Sequence, residues 1–295
     1  MTFYTVFPGI LLAYISINAS TWPAPDLSPD NSDEASPLLF NYCMSGRCEL
    51  HLDNGSFVYV KEGNISLTER FAKEDYVYPR RIYEGIELFI DGNIVHKEAP
   101  YIADNFAIDS SKLAAMYCPD GKTYISAGDT RCEKVLKELW MLYEETGPSV
   151  LFQMKLCVLK LLGLLLETDG FPPSRACAFF TAAQVEIAKK VERLITADLR
   201  KHHPAREMAE SFAVSETSLK NYFKGVYGQN ISAYLRELRM KKAAQQLSGT
   251  GLAVSEIAES VGYLNQSKFA AVFKQQFEMA PLEYRRRANI DKTEL

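Results

Sequence analysis

The first 130 residues carry their apolar positions in short runs that predict β-strands. Turn sequences separate these runs, and Asp53-Asn54-Gly55 between two alternating runs is a strong signal for a β-hairpin. Many short strands at regular spacing are typical of a barrel or a double-sheet jelly roll. We therefore predict a mostly-β barrel over residues 1–130. The runs that carry this prediction are 38–42, 47–52, 56–60 and 86–90.

From Cys132 the apolar positions recur at the period of an α-helix. They predict an amphipathic helix that ends before Gly147-Pro148 and a second helix over 150–167. The second helix is apolar nearly all round, so it must cover more than one surface. We predict that this helical pair, residues 131–169, forms a homodimer, with packing inside its own domain as the alternative. Residues 170–183 are predicted to be a linker.

Residues 204–287 contain an internal repeat. The heptapeptide EMAESFA at 207–213 returns as EIAESVG at 256–262. A repeat of about 50 residues marks a duplicated structural unit. In each copy a short apolar helix, a turn and a second helix with one buried stripe predict a helix-turn-helix. After a one-residue insertion, the aligned positions are Leu219 and Phe269, Phe223 and Phe273, Lys224 and Lys274, Tyr227 and Phe277, and Tyr234 and Tyr284.

The second helix of each copy has a polar face opposite its buried stripe, and such a helix can read base edges in a major groove. The intervening residues 231–247 predict a rod of about 25 Å, which would present the two helices to successive grooves about 34 Å apart. Candidate base-reading residues are Glu216, Thr217, Ser218, Lys220 and Asn221 in the first copy, and Gln266, Ser267, Lys268, Ala270 and Ala271 in the second. Candidate phosphate contacts are Lys224, Arg239, Lys274 and Arg285.

The second copy resembles the signature of the AraC/XylS family of transcription regulators. The resemblance lies in EIAESVGY at 256–263, Phe273-Lys274, Pro281 and Glu283-Tyr284-Arg285, and covers about the last hundred residues. It implies an all-α DNA-binding domain with two helix-turn-helix motifs over 184–290, and a cupin-like effector-binding barrel before it. It also implies double-stranded DNA and a small-molecule effector as partners, with RNA polymerase as a further candidate.

Two positions depart from the family's pattern. Glu278 stands where the family usually has glycine after the reading helix, which predicts slightly weaker helix termination. Ala271 stands where many members place arginine against the bases. The second reading helix is therefore expected to make fewer hydrogen bonds to bases than the first.

The charge distribution favours nucleic-acid binding. Residues 186–290 carry 17 Lys and Arg against 11 Asp and Glu, whereas residues 1–185 carry 15 against 24. A basic domain joined to an acidic one is the electrostatic pattern of nucleic-acid binding. The alternative is a bundle of amphipathic helices whose exposed lysines are only solvated, and the duplicated pattern argues against it.

Other classes of protein receive less support. The amino terminus lacks a basic segment before its apolar residues, and the apolar run 150–166 contains Lys155 and Lys160, so we predict a cytoplasmic protein with no membrane segment. The six cysteines show no metal-binding spacing and are expected to be reduced, although Cys43 and Cys48 flank a glycine turn and keep a redox or metal sensor open. His51 and Glu49 are too few for a cupin metal site. We predict no cofactor and no enzymatic activity.

These patterns together predict a one-component regulator whose barrel senses a small molecule and whose C-terminal domain binds a promoter. The competing interpretation is an effector-independent global or architectural DNA-binding protein, in which the N-terminal domain only dimerises. A cavity lined by the inward side chains of the strands would favour the sensor, and an interior filled by side chains would favour the competitor. A metal-dependent cupin enzyme and a DNA-repair methyl acceptor are further alternatives, which the surroundings of the histidines and cysteines do not favour.

Overall fold

The computed structural model describes residues 1–23, 37–52, 54–69, 76–167 and 179–290. The chain divides into two compact units, Met1–Thr181 and Ala182–Leu295. The first unit is rich in β-structure and the second is helical, which confirms the order predicted from the sequence. Among the described residues, every helix is too short or too polar to cross a lipid bilayer.

The first unit is built on one antiparallel sheet. Its described strands are β1 (Thr2–Phe7), β2 (Ile10–Ile17), β3 (Thr21–Trp22), β4 (Leu38–His51), β5 (Ser56–Lys61), β6 (Asn64–Thr68), β7 (Tyr76–Val77), β8 (Tyr83–Ile90), β9 (Tyr124–Ala127) and β10 (Phe180–Thr181). The main order is β1-β2-β8-β4-β5-β10. Off this path, β6 and β7 pair with β4, β9 pairs with β6 and β3 pairs with β7. Within the described residues the sheet is open, so the predicted cupin-like barrel is not confirmed.

β4 is one long strand where the sequence pattern predicts two. The pairing register with β8 shifts between Cys43 and Ser45, and Gly46 adopts a positive φ of 91°. A bulge of this kind bends a strand without ending it. The strand therefore pairs with β6 and β8 along its first part and with β5 along its last five residues. A Cβ atom at position 46 would collide with the carbonyl oxygen of Ile82, so only glycine fits this bend.

Three helices follow β8, namely α1 (Gly92–Glu98), α2 (Tyr101–Phe106) and α3 (Ser110–Tyr117). The prediction of strands up to residue 129 is wrong in this stretch, because Asp91-Gly92-Asn93 starts a helix rather than a hairpin. The Asp91 carboxylate accepts hydrogen bonds from the backbone N–H groups of Asn93 and Ile94, both at 3.0 Å, and so caps α1. Asp109 caps α3 in the same way.

The predicted helical pair consists of α4 (Thr130–Met141) and α5 (Val150–Glu167). Their inner faces share one hydrophobic core with the sheet, and Tyr14 donates a hydrogen bond of 2.5 Å from β2 to the carbonyl oxygen of Leu139. The opposite face of the sheet carries a second buried cluster, to which Ile15, Leu39 and Tyr83 belong. The helical pair thus packs within its own unit.

Of the predicted linker, residues 170–178 lie outside the described residues. Phe180 and Thr181 form β10, which pairs with Phe57 and Ser56 of β5. The first helix of the second unit starts directly afterwards, at Ala182.

The second unit contains the described helices α6 (Ala182–Ala197), α7 (Ala205–Ser211), α8 (Glu216–Tyr227), α9 (Ile231–Gly249), α10 (Val254–Ser260), α11 (Gln266–Phe277) and α12 (Pro281–Ile290). The long helix α9 is shared by two hydrophobic clusters. Near its start, Tyr234 packs on Phe223 of α8, with ring centroids 5.4 Å apart. Beyond Met240 its buried residues join Phe269 and Phe273 of α11.

The two copies of the repeat have the same aromatic packing. Phe223 and Tyr227 lie 4.6 Å apart, as do Phe273 and Phe277. Tyr234 meets Phe223 edge-on at 5.4 Å and 81°, and Tyr284 meets Phe273 at 5.4 Å and 82°. Since each trio comes from aligned positions, the repeat in the sequence is also a repeat in packing.

The described cysteines are all free and buried: Cys43, Cys48, Cys118, Cys132 and Cys157. Burial raises the pKa of the Cys43 and Cys118 thiols to about 12, so neither forms the reactive thiolate at neutral pH. These surroundings favour cysteines as small apolar side chains over a redox sensor. Cys177 lies outside the described residues.

The two copies end their second helix with different residues, and this difference predicts a change in stability. Gly228 ends α8 with a φ of 81°, and the aligned Glu278 ends α11 with a φ of 59°. A left-handed conformation is unfavourable for a residue with a Cβ atom. We expect Glu278→Gly to stabilise the second unit by about 1 kcal/mol and Gly228→Ala to destabilise it by a similar amount.

Unfolding in urea followed by circular dichroism tests this pair of substitutions. Both tryptophans, Trp22 and Trp140, belong to the first unit, so their fluorescence reports separately on that unit and serves as an internal control. A Glu278→Gly protein with unchanged or lower helix stability would contradict the expected relief of strain.

Candidate nucleic-acid interface

The turn between α7 and α8 is closed by backbone hydrogen bonds and one left-handed residue. The N–H of Val214 donates to the carbonyl oxygen of Ala209 at 3.1 Å, and Ala213 has a φ of 54°. The second copy repeats this turn, with Tyr263 donating to Ala258 at 2.9 Å and Gly262 at a φ of 83°. Each short helix thus leads into the longer one through the same tight connection.

Side-chain caps define where α8 and α11 begin. The hydroxyl oxygen of Ser215 accepts the backbone N–H of Ser218 at 3.1 Å, and Asn265 Oδ1 accepts the N–H of Lys268 at 2.8 Å. These caps satisfy one of the free N–H groups of each first turn. The first turn of each helix remains exposed around its cap.

The predicted reading face of α8 is on the surface. Leu219 and Phe223 are fully buried on one side, while Glu216, Thr217, Lys220, Asn221 and Lys224 are exposed on the other. Ser218 differs because it is half-buried and receives a 2.8 Å hydrogen bond from the Ser215 hydroxyl. Its hydroxyl therefore takes part in the N-cap of α8 rather than in the exposed polar face.

Lys220 and Glu216 form an ion pair one helical turn apart. Both side chains are about half exposed, so the pair contributes little to stability. It does hold the Lys220 ammonium near the first turn of α8. A DNA phosphate or base would compete with Glu216 for this lysine.

The corresponding face of α11 is also open. Phe269 and Phe273 are fully buried, and Gln266, Ser267, Lys268, Ala271 and Lys274 are exposed. Ala270 is half-buried. The predicted residues of each copy thus lie together on one helix, and the second set offers fewer charged groups and two methyl groups.

The sequence analysis missed one exposed residue beside this face. Leu264, immediately before the Asn265 cap, keeps 98% of its surface exposed. A large apolar side chain with this exposure at the entrance to α11 extends the surface by an apolar contact point. The signal in the sequence was a leucine directly before the Asn265 cap.

Two predicted phosphate contacts are already engaged within the protein. Arg239 donates from Nε to the carbonyl oxygen of Leu199 at 2.7 Å and from Nη2 to that of Lys201 at 3.1 Å. Arg285 donates from Nη2 to the carbonyl oxygen of Leu252 at 2.6 Å. Both side chains are half-buried. Lys224 and Lys274 keep the exposure that a phosphate contact requires.

Other basic side chains surround the two faces. Arg236 and Lys242 are exposed on α9, as are Arg286 and Arg287 on α12. Lys241 is paired with Glu237 at 2.7 Å. The second unit thus presents several cations beyond those on α8 and α11. Among the described residues, no group of three His, Cys, Asp or Glu side chains is arranged to hold a metal ion.

Known proteins match this part of the chain. A family profile described as "Helix-turn-helix domain" matches residues 208–287. The regulatory protein SoxS of Escherichia coli (strain K12) is 34% identical over 80 residues, which cover 27% of this chain and 75% of SoxS. The transcriptional activator RhaR of Enterobacter sp. (strain 638) is 32% identical over 101 residues, which cover 33% of this chain and only 36% of RhaR.

A solved structure aligns over more of the chain. The structure of ToxT from Vibrio cholerae covers 94% of this chain and 98% of its own, with 13% identity and a TM-score of 0.33. This score is too low for the alignment to define the fold of the first unit.

The matched profile and the packing of the second unit define a protein of the helix-turn-helix class. The match to SoxS identifies the family more specifically, because it covers 75% of SoxS. The chain belongs to the AraC/XylS family of transcriptional regulators.

Proposed function

We propose that this protein is a one-component transcription regulator that recognises a promoter through two tandem helix-turn-helix motifs, α7–α8 and α10–α11. The observation that carries the proposal is the repeated packing of the two copies, in which α8 and α11 each bury one aromatic stripe and expose the opposite polar face. A capped, exposed helix start is what enters a major groove in this motif. SoxS and RhaR are named as regulators, which agrees with this proposal.

The two helices would read DNA by different chemistry. In α8, Thr217, Lys220 and Asn221 provide hydrogen-bonding groups, and an asparagine can pair with adenine through two hydrogen bonds. In α11, Gln266, Ser267 and Lys268 provide such groups. The methyl groups of Ala270 and Ala271 suit contacts with thymine methyls instead. Leu264 would add a further apolar contact.

Lys224 and Lys274 are the proposed phosphate contacts. They occupy aligned positions in the two copies and are exposed one turn beyond the base-reading residues. Contacts of this kind set affinity and its salt dependence but carry no sequence information. Arg239 and Arg285 are left out of this set because each is bonded to backbone carbonyl groups.

Two features of the first unit bear on an effector in opposite directions. The buried cluster that includes Ile15, Leu39 and Tyr83 is filled by its own side chains. A cavity of about 490 Å³ lies beside α1 and α3 instead. A filled interior favours the effector-independent DNA-binding protein, which remains the second candidate function. Glu87 on β8 argues for the sensor, because a carboxyl group there has a destabilising effect that a bound partner could offset.

Glu87 lies opposite Ala13 on β2 and Asn41 on β4. Loss of hydration raises the pKa of its carboxyl group to about 7. Its charge would act on Cys48, Tyr78 and Tyr83, whose own pKa values are also raised by burial. The Glu87 side chain is half-buried, so a bound molecule could still reach its carboxyl group. We propose that an effector with a positive charge or several hydrogen-bond donors binds at Glu87.

A homodimer formed through α5 is the remaining part of the proposal. On the outer side of this helix Leu151, Phe152 and Leu156 are 42%, 62% and 50% exposed. A Cβ atom added to Gly163 further along α5 would meet no atom within 4 Å. An apolar helix face of this kind is typical of an interface between subunits. Two copies of the protein would pack this face of α5 against each other.

Base reading and phosphate contact can be separated by two substitutions. The probe is a duplex that the wild-type chain enriches from a randomised library. We expect Asn221→Ala to weaken binding to this duplex by about 1–3 kcal/mol and to reduce discrimination against a scrambled duplex. We expect Lys274→Ala to weaken binding to both duplexes and to reduce the salt slope by about one unit.

Each substitution serves as the control for the other, and fluorescence anisotropy across a salt series measures both. Unchanged discrimination in Asn221→Ala would remove that residue from the reading face. An unchanged salt slope in Lys274→Ala would assign this lysine to the solvated surface. Failure of the wild-type chain to enrich any duplex would contradict the proposed function as a whole.

Glu87→Gln should change how stability depends on pH. Because the folded pKa of about 7 lies above the ordinary glutamate pKa of 4.5, the folded state of the wild type retains a proton that the unfolded state loses. The resulting stabilisation is present below about pH 4.5 and is lost as the pH rises through 7. We expect Glu87→Gln to be more stable than the wild type by about 1–3 kcal/mol at pH 8 and similar at pH 5.

Urea unfolding followed by tryptophan fluorescence measures this difference in the first unit. Glu84→Gln is the matched control, because Glu84 lies on the same strand in a half-buried position. A thermal-shift screen with amines, amino acids and sugars then tests the sensor. A stabilising compound should lose its effect in Glu87→Gln but keep it in Glu84→Gln. A compound that stabilises both variants equally would place the effector elsewhere.

The proposed dimer predicts a change in sedimentation. We expect the full chain to sediment as a dimer at micromolar concentration and Phe152→Glu to sediment as a monomer, because a charge on the exposed apolar face opposes its burial. Lys97→Glu, at an exposed position on α1, is the control and should remain dimeric. A monomeric wild-type chain would leave α5 with a role inside its own unit only.

A further inference from the structure

Arg239 lies where the two halves of the second unit meet. It belongs to the middle of α9, between Tyr234, which packs with α8, and Met240, which packs with α11. Its guanidinium group is half-buried and contacts two segments that are distant in sequence. One segment follows α6, and the other is the turn between α10 and α11.

The first contact holds the segment after α6. Arg239 donates to the carbonyl oxygens of Leu199 and Lys201, at 2.7 and 3.1 Å. This segment is itself folded on Asp198, whose carboxylate accepts the backbone N–H of Arg200 at 3.0 Å and its Nε at 3.1 Å. Since α6 packs against α8, the two carbonyl groups belong structurally to the first half.

The second contact reaches the turn that leads into α11. The Arg239 guanidinium lies over the ring of Tyr263, 5.9 Å from its centroid. Tyr263 packs edge-on against Phe269, the buried residue of α11, at 5.7 Å. This contact therefore belongs to the second half. One planar cation meets carbonyl groups along its edge and an aromatic ring on its face, a geometry that lysine cannot reproduce.

The residue next to Tyr263 shows how close this approach is. A Cβ atom on Gly262 would lie 3.0 Å from Arg200 Cα, 3.0 Å from the Arg200 carbonyl oxygen and 3.0 Å from Arg239 Nη2. The segment after α6, the guanidinium and the turn of the second copy are therefore in mutual contact. In the first copy, the equivalent turn position carries Ala213.

We propose that Arg239 is a positioning residue that fixes the orientation of α11 relative to α8, and thereby the spacing of the two half-sites that the protein accepts on DNA. The proposal rests on the proposed function for its consequence on DNA. Its structural part concerns the protein alone. Arg239 would act through the protein rather than through DNA, since it is half-buried and its Nε and Nη2 donate to Leu199 and Lys201.

The consequence follows from tethering. Once one helix occupies its half-site, the other binds with an effective concentration that depends on how well the connection holds it in place. Loss of the Arg239 contacts should leave each reading face intact but broaden their relative orientations. Affinity for the complete site should then fall more than affinity for either half-site.

The test on DNA uses Arg239→Ala, Arg239→Lys and the control Arg236→Ala, which removes an exposed cation from the same helix. The probes are the enriched duplex, versions with either half-site scrambled, and versions with one or two base pairs inserted between the half-sites. For Arg239→Ala we expect about tenfold or greater loss on the complete site, little change on half-sites, and a weaker preference for the original spacing. Arg239→Lys should restore this preference only in part, and Arg236→Ala should retain it.

Salt dependence distinguishes positioning from phosphate contact. A positioning role leaves the salt slope of Arg239→Ala unchanged, whereas a lost phosphate contact would reduce it by about one unit. Equal losses on half-sites and the complete site, or an unchanged spacing preference, would overturn the proposal. Urea unfolding of each variant identifies any loss that comes from a destabilised unit.

A second measurement does not need DNA. Spin labels attached through genetically encoded azido residues at positions 217 and 267 report the distance between α8 and α11 in the full chain by pulsed electron resonance. We expect a narrow distribution in the wild type and in Arg236→Ala, and a broader one in Arg239→Ala. Equal widths would overturn the proposal even if DNA binding were confirmed. A broader distribution would support the structural part even if no duplex were enriched.

Discussion

The burial of one aromatic stripe on α8 and on α11 is the constraint on which the second unit depends. Phe223 and Phe273 are fully buried, and each meets two further aromatic rings at nearly identical distances in the two copies. Burial of a phenylalanine contributes about 2–3 kcal/mol, so the rotation of each helix about its axis is firmly set. The polar face opposite the stripe must then point outwards, which gives both helices a surface available to DNA.

This constraint explains why the sequence predicts which faces of α8 and α11 are exposed. The stripe, the Ser215 and Asn265 caps and the exposed side chains are all determined within about one helical turn, so their spacing along the chain is sufficient. The same holds for α5, whose ends at 150 and 167 match the apolar run. Features set by distant contacts were not predicted. The pattern could not show that Arg239 binds the carbonyl of Leu199, 40 residues away, or that β4 continues through its bulge beside β8.

In the first unit, too, contacts between residues distant in sequence decide features that the pattern cannot predict. Asp91-Gly92-Asn93 suits both a hairpin and a helix start, and only the helix packing after β8 selects the second. Glu87 follows the alternation of its strand, but the alternation does not reveal that the surrounding sheet removes water from the carboxyl group. Its raised pKa depends on desolvation by neighbours from several strands.

The differences between the two copies have a common physical basis. The first copy carries alanine in its turn and glycine after α8, whereas the second carries glycine in its turn and glutamate after α11. Gly262 is required because Arg200 and Arg239 pack directly against it. This contact is where the second copy is joined to the first, so its turn is constrained by the assembly of the unit as well as by the motif. α11 also exposes fewer charged side chains than α8, because Ala271 occupies part of its exposed face.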